Sequence, residues 1–288
     1  MRLDLHSHST ASDGHLSPEA LMLRAVEQGV DVLALTDHDT VAGLDEAHAA
    51  IARHQLPLTL IDGIEISCNW ENHEIHVVGL ALDRHHPALL ALCQRQAESR
   101  EWRARELDRK LAKLQIEGTY EAARALAGSG SLTRAHFARH LVAQGVCKTM
   151  QKAFDVYLGR RGKAYVRPQW VSLAEACQVI HQAGGQAVLA HPTGYNLTAK
   201  WIKRLLADFV IAGGDAMEVS MAQQSPQERA NLGQWSREFG LLASVGSDFH
   251  FPTTWLELGK QLWLPKEATP VWERFLDATA SNAFREES

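Results

Sequence analysis

The sequence predicts an α/β fold: a parallel barrel of about seven strands, interrupted by an all-helical insertion. Three observations carry that reading. Short apolar runs alternate with amphipathic helical patterns, as in parallel βαβ units. Nearly every run ends, at its C-terminal edge, in His, Asp or Glu, and that edge is the catalytic face of a parallel barrel. Between about Pro87 and Gln169 the alternation stops and only helical patterns remain. Residues 1–86 and 170–288 are thus expected to build the barrel, with 87–169 as a cap.

Taken in order, Leu3–Leu5 reads as the first strand and runs into His6-Ser7-His8. Ser17 caps a helix that opens at Pro18 and closes at Gly29. Val30–Leu35 is a strand ending in Thr36-Asp37-His38-Asp39, and a helix follows over Ala42–His54. Leu56–Ile66 is strand-like and contains Glu65 at its end; Glu74–Leu82 alternates and carries His76. Beyond the insertion, Gln186–Ala190 ends in His191-Pro192. Ala216–Val219 and Leu241–Val245 follow, the latter ending in Gly246-Ser247-Asp248-Phe249-His250. Helices over Leu173–Ala183, Ala199–Ala212 and Pro226–Phe239 separate these strands. Gly184-Gly185 and Gly213-Gly214 read as helix ends feeding strands, not as a dinucleotide fingerprint.

A chain of 288 residues buries enough surface to fold without disulfides or structural metal. With 45% apolar and 22% charged residues it is neither disordered nor fibrous. A net charge of −5 argues against coating nucleic acid by bulk charge. The four cysteines are widely spaced, as in reduced cytosolic proteins. The N-terminus is no secretory signal, and no apolar run is long enough for a membrane span. The expected setting is cytoplasmic, with no membrane and no protein partner implied.

Fifteen histidines are the anomaly, and their placement is informative. Side chains at i and i+2 of a strand share a face, so His6 with His8, and Asp248 with His250, each offer half a metal site. Asp13, His38, Glu65, His76 and His191 complete a set of nine candidate ligands. Imidazole and carboxylate without thiolate suit Mn²⁺, Fe²⁺, Zn²⁺ or Co²⁺. Nine donors exceed the needs of one ion and could serve three. Six neutral imidazoles and three carboxylates around three divalent ions leave a cationic pocket, suited to a phosphate ester.

The runs HSHSTASDG, LTDHDTVAG, GIEIS, EIHVVGL, AHP and GSDFH resemble the motifs of the PHP (polymerase and histidinol phosphatase) family. The resemblance implies a distorted seven-stranded (β/α) barrel and a trinuclear centre, with Mn²⁺ as first choice and Fe²⁺, Zn²⁺, Co²⁺ or Mg²⁺ as alternatives. It places His6, His8, Glu65 and Asp248 on one ion and Asp13, His38 and His250 on a second. Glu65, His76 and His191 take the third, with Glu65 bridging. His191 and Asp248 are the residues assigned to catalysis. The stretch SLTRAHFARHLV is similar to that of family members acting on nucleotides. The implied activity is removal of the 3′-phosphate from nucleoside 3′,5′-bisphosphates such as pAp. Alternatives are 5′→3′ exoribonuclease action on short RNA, histidinol-phosphate phosphatase, or an inert nucleic-acid-binding module.

Substrate contacts are expected from the insertion. Ser131–Trp170 holds eight Lys or Arg and one acid, an excess of +7 inside an acidic chain. Thr133 reads as an N-cap that sets Arg134 beside free backbone N–H groups, a ready phosphate site. His136 lies near it, and Arg100 and Arg103 share a helix face. Asp37 is expected to orient a ligand imidazole, Asp39 to cap the next helix, and Trp102 to be buried. Tyr195 and Asn196 are weaker candidates for substrate contact.

Overall fold

The computed structural model describes residues 1–276. Its strands are β1 (Leu3–Asp4), β2 (Val32–Leu35), β3 (Thr59–Trp70), β4 (His73–Leu80), β5 (Val171–Ser172), β6 (Gln186–Leu189), β7 (Ala216–Met221) and β8 (Leu242–Gly246). Seven of them follow the order β1-β2-β3-β4-β6-β7-β8, and β5 adds two residues to β3. The sheet nearly closes on itself. Leu5 N–H donates to the Val245 carbonyl at 3.1 Å, and His8 N–H to that of Phe249 at 2.8 Å.

Two details depart from the sequence reading. β4 runs antiparallel to both β3 and β6, whereas the other pairs are parallel. Alternation shows that a segment is a strand but not which way it runs, so the hairpin was not seen. β3 also continues past Ile66 to Trp70, so Glu65 lies within the strand rather than at its end. Thr59–Asp62 pairs with β2 and Gly63–Trp70 with β4. Gly63 marks that switch: a Cβ there would meet Thr36 Cγ2 at 2.8 Å and two backbone oxygens within 3.1 Å.

Helices α1 (Pro18–Glu27), α2 (Leu44–His54), α7 (Leu173–Gln182), α8 (Ala199–Ile211) and α9 (Pro226–Glu238) accompany the barrel. Between β4 and β5 lie α3 (Pro87–Ala112), α4 (Thr119–Ala127), α5 (Arg134–Ala143) and α6 (Met150–Ala153), which continues into a π turn over Phe154–Leu158. These helices enclose their own apolar cluster, with Leu107, Leu111, Phe137 and Leu141 fully buried. The barrel core is separate and includes Ile64, Ile66, Val77, Val188, Met217 and Val245. No described helix is long and apolar enough to cross a membrane.

The cap is fastened to the barrel by buried ion pairs. Arg100 of α3 clasps Asp39 with Nε–Oδ2 at 2.8 Å and also donates to Ser67 Oγ at 2.9 Å. Asp39 is therefore not an N-cap; Gly43 holds that place for α2. Its backbone lies in the left-handed region (φ 54°), which turns its carboxylate toward the cap. It also accepts from Ser67 N–H at 2.8 Å and Gln96 Nε2 at 2.9 Å.

Candidate metal centre

Strand ends and the interiors of β3 and β4 deliver the nine candidate ligands to one mouth of the barrel. His6 and His8 leave β1 fully buried, and Glu65 projects from β3, also fully buried. His76 stands on β4 opposite Ser67. His191 (φ 28°) and Asp248 (φ 53°) follow β6 and β8 in unusual backbone conformations. Non-glycine residues in that region cost about 1–3 kcal/mol each and cluster where strain serves a site. Here the turn bends each chain end inward over the mouth.

Four donor atoms converge at the deepest point. His6 Nε2 and His8 Nε2 are 3.1 Å apart, each is 3.2–3.3 Å from Glu65 Oε2, and each is 3.1–3.4 Å from Asp248 Oδ1. Ligand bonds of about 2.0–2.1 Å in a tetrahedron span edges of about 3.3 Å, so this spacing fits a divalent ion. His250 Nε2 and His38 Nε2 lie 3.3 and 3.8 Å from Asp13 Oδ1, and His8 joins this second group. In a third, Glu65 Oε1 is 2.8 Å from His76 Nδ1 and 3.0 Å from His191 Nε2, which are 3.3 Å from each other. His38 also falls within reach of Glu65 and His76. Glu65 thus sends one oxygen to each of two groups.

The polar accounting favours cations here. His8 Nδ1, Asp13 Oδ1, His38 Nδ1 and Glu65 Oε2 are buried with no hydrogen-bond partner. His38 Nδ1 is only 2.9 Å from Glu65 Oε2, yet the two are not aligned for a hydrogen bond. Buried polar atoms are rarely left so unless something else satisfies them. Donor type, spacing and orphaned atoms all fit metal ions.

Electrostatics agree. Burial alone would raise the Glu65 carboxyl, but the imidazoles of His38, His76 and His6 hold it well below the usual carboxylate range. Asp13 is held equally low by His38 and His250 against the same effect of burial. Burial opposes charge on His250, yet Asp13 and Asp248 push it up to about 10. Glu65, Asp13 and His250 therefore each depend on opposite charge nearby.

Sequence reasoning missed Glu218. It is buried in β7, where its Oε1 takes the His6 Nδ1 proton at 2.7 Å and its Oε2 accepts from His191 N–H at 2.6 Å. That fixes the His6 tautomer with Nε2 facing the other donors. The signal was present: one acid inside the apolar run AMEVS. Gly246 makes room for this contact, since a Cβ there would lie 2.4 Å from His6 Cβ and 2.6 Å from Glu218 Oε1. Asp37 contacts no imidazole. It accepts from Ser9 N–H, Ser9 Oγ and Ser12 Oγ at 2.6–2.8 Å, bracing the loop that carries Asp13. Tyr195 accepts from His76 N–H at 2.9 Å and donates to the Ala190 carbonyl at 2.8 Å, which makes it a brace for two candidate ligands.

Beside the cluster is a cavity of about 160 Å³. Asp13, His38 and His76 form one wall; Arg100, Arg103, Arg134, Phe154 and Trp170 belong to the others. Glu74 ties two of the arginines together, with Arg103 Nη2–Oε1 at 2.8 Å and Arg134 Nη2–Oε2 at 3.0 Å. Burial would raise the Glu74 carboxyl, but Arg134 and Arg103 hold it at about 2. Arg134 is lowered by burial to about 10 and stays cationic at neutral pH. Two guanidiniums and one carboxylate leave a net +1, while Arg100 is neutralised by Asp39. Trp170 stacks beneath Arg100 and Arg103, whose guanidiniums lie 5.0 and 5.4 Å from its ring centre. Trp102, expected to be buried, is 40% exposed. His136 is buried and closes the α5 capping box, its Nδ1 accepting from Thr133 N–H at 3.1 Å. It does not line the cavity, so its geometry supports a cap rather than a substrate contact. A roomier cleft of about 450 Å³ lies behind the Arg100–Asp39 pair and is lined by none of the nine.

Such a barrel, with ligand-type side chains gathered at one mouth, places the protein among the metal-dependent phosphoesterases. Residues 4–164 match the PHP domain, and the chain belongs to that family. It is 53% identical over 270 residues to the 5′-3′ exoribonuclease Rnm of Escherichia coli, covering 94% of this chain and 92% of that one. It is 40% identical over 272 residues to a 3′,5′-nucleoside bisphosphate phosphatase of Chromobacterium violaceum, covering 94% and 95%. A solved amidohydrolase structure from Chromobacterium violaceum, with bound sulfate and no metal, matches at TM-score 0.89 and 39% identity over 95% of both chains.

Proposed function

We propose that the protein hydrolyses the bond between a nucleotide's 3′-oxygen and its phosphate, converting nucleoside 3′,5′-bisphosphates such as pAp to the 5′-monophosphate and phosphate. The observation that carries this is one cavity with two chemistries: Asp13, His38 and His76 of the donor cluster on one wall and the Arg103–Glu74–Arg134 group on another. A substrate with two phosphates needs two anchors. Arg134, the most exposed of the three arginines at 25%, takes the 5′-phosphate with Arg103 behind it.

Divalent ions held by His6, His8, Asp13, His38, Glu65, His76, His191, Asp248 and His250 would polarise the phosphoryl oxygens and acidify water. Mn²⁺ is the first choice, in keeping with three donor groups of mixed imidazole and carboxylate. The chain's own residues orient the reacting groups. Glu218 locks His6 and the His191 backbone in place. Asp248, with a side chain 39% exposed, is kept anionic by His6 and His250 against the effect of burial and orients the attacking water as a hydrogen-bond acceptor. His191 Nε2 faces Glu65 Oε1 at 3.0 Å as part of the donor cluster, and water at the mouth supplies the proton for the departing 3′-oxygen. The new P–O bond forms as the P–O3′ bond breaks.

A second reading is 5′→3′ exoribonuclease action on short RNA, favoured by the 53% identity to the Escherichia coli enzyme. It breaks the same P–O3′ bond, the phosphate then staying with the next nucleotide. The test is incubation of the Mn²⁺-loaded protein with pAp, a 5′-phosphorylated oligoribonucleotide and histidinol phosphate, reading inorganic phosphate and mononucleotide. AMP and phosphate from pAp are expected, with no phosphate from the cationic amine. Release from histidinol phosphate alone would overturn the proposal. His191→Ala or Asp248→Asn should abolish turnover, and Arg134→Ala should chiefly raise KM.

A further inference from the structure

Two exposed rings stand where a mononucleotide substrate has no use for them. His15 lies two residues past Asp13, and Phe251 directly follows His250. Their rings stack with centroids 4.8 Å apart and planes 22° apart. Phe251 is 41% exposed, and His15 is exposed as well. The two loops are joined by a hydrogen bond from His15 N–H to the His250 carbonyl at 2.8 Å. Arg139 of α5 reaches the same place and donates to the Asp13 carbonyl. The arginine cavity is lined by Asp13, His38 and His76 but not by His250, whereas this pair sits beside Asp13 and His250. On the reading above, a nucleoside bisphosphate spans the cavity and the donor cluster and ends there. Only a chain that continues past the phosphate under attack would meet the rings.

We propose that the His15–Phe251 pair is a stacking platform for the base of the nucleotide on the 3′ side of the scissile phosphate, a positioning element for the RNA reading given above. The proposal rests on the reading above, in which the 5′-phosphate sits with Arg103 and Arg134. Aromatic faces take any base, because every base has a π face, and such stacking is largely indifferent to sequence. Arg139 adds positive charge beside the path of the continuing backbone. The competing structural role is simple: the rings pin two ligand-bearing loops together.

The test uses the full chain in chelator with a 5′-phosphorylated RNA trinucleotide carrying a 3′-fluorescein label, read by anisotropy, and pAp as competitor. Phe251→Ala should weaken trinucleotide affinity about tenfold relative to pAp, and Phe251→Tyr should restore the ratio. With Mn²⁺ added, kcat/KM for the trinucleotide relative to pAp should fall by a similar factor. If both substrates weaken in proportion, the rings only pin the loops and the platform is refuted. An unchanged ratio refutes it too, as does wild-type protein that binds the trinucleotide no more tightly than pAp. Absence of turnover on both substrates would sink the proposed function, while the binding ratio would still decide the platform.

Discussion

At the scale of single residues, the roles of Glu218 and Glu74 are the least expected. Glu218 holds the His6 Nδ1 proton and the His191 backbone at once. Removing such a partner of a ligand imidazole costs about 10–100-fold in metal affinity. Glu218→Ala should show that loss in a Mn²⁺ titration while its circular dichroism spectrum stays that of the parent; an unchanged affinity would assign Glu218 to packing alone. On the proposed reading Glu74 would compete with substrate for Arg103 and Arg134, so Glu74→Gln should lower KM for pAp and raise the salt sensitivity of binding. The convergence of His6, His8, Asp248 and His250 was legible because His-X-His and Asp-X-His fall where apolar runs stop, a pattern that strand geometry turns into shared faces. Glu218 was not, since a lone acid inside a run carries no spacing to reveal its partner. Asp37 and Asp39 were misjudged for a related reason: both flank His38, but their partners lie 25 or more residues away in sequence.

At the scale of elements, α3 and α5 carry the predictions. The α3 helix is held to the barrel by Arg100 and Asp39, both almost without exposure. Breaking a buried pair from one side strands the remaining charge and costs about 3–5 kcal/mol. Asp39→Ala should lower stability by that order in urea unfolding, and combining Asp39→Leu with Arg100→Met should recover part of it. At the start of α5, burial pushes His136 down to about 4 from its ordinary 6.5. The folded protein keeps this imidazole neutral, whereas the unfolded chain takes up a proton near 6.5. Its contribution is thus complete above about pH 6.5 and is lost as pH falls toward 4. Gln at this position preserves a capping acceptor without titrating, so the melting temperature of His136→Gln should drop less than the parent's between pH 7 and pH 5. Equal drops would contradict the assignment. Helix starts were readable from Ser17 and Thr133 because capping chemistry is local. The reversed direction of β4 was not, because a strand's neighbours are set by tertiary pairing.

At the scale of the whole molecule, the barrel concentrates carboxylates and imidazoles at one mouth, with buried atoms lacking partners. Ions that bind only the folded form stabilise it by about 2.7 kcal/mol at a hundredfold excess over Kd. For a chain of this size that is about 4–5 °C in melting temperature. Chelator should lower the melting temperature by that order and Mn²⁺ should restore it; insensitivity to both would argue against the centre. Barrel and cap were foreseeable because the loss of βα alternation after Pro87 is a change of period, which sequence reports directly. The cleft geometry between them was not, since ion pairs such as Arg103–Glu74 join residues 29 apart.

One consequence follows from where the cap is fastened. Asp39 is the next residue after His38, and Glu74 lies on the same face of β4 as His76. The arginines that would recognise a ligand are therefore wired to the neighbours of groups that would do chemistry on it. Changes in preference and changes in turnover should prove epistatic: a swap at Arg100, Arg103 or Arg134 will shift both, and paired swaps will not sum. A lineage adapting this scaffold to a new ester would have to move recognition and reactivity together.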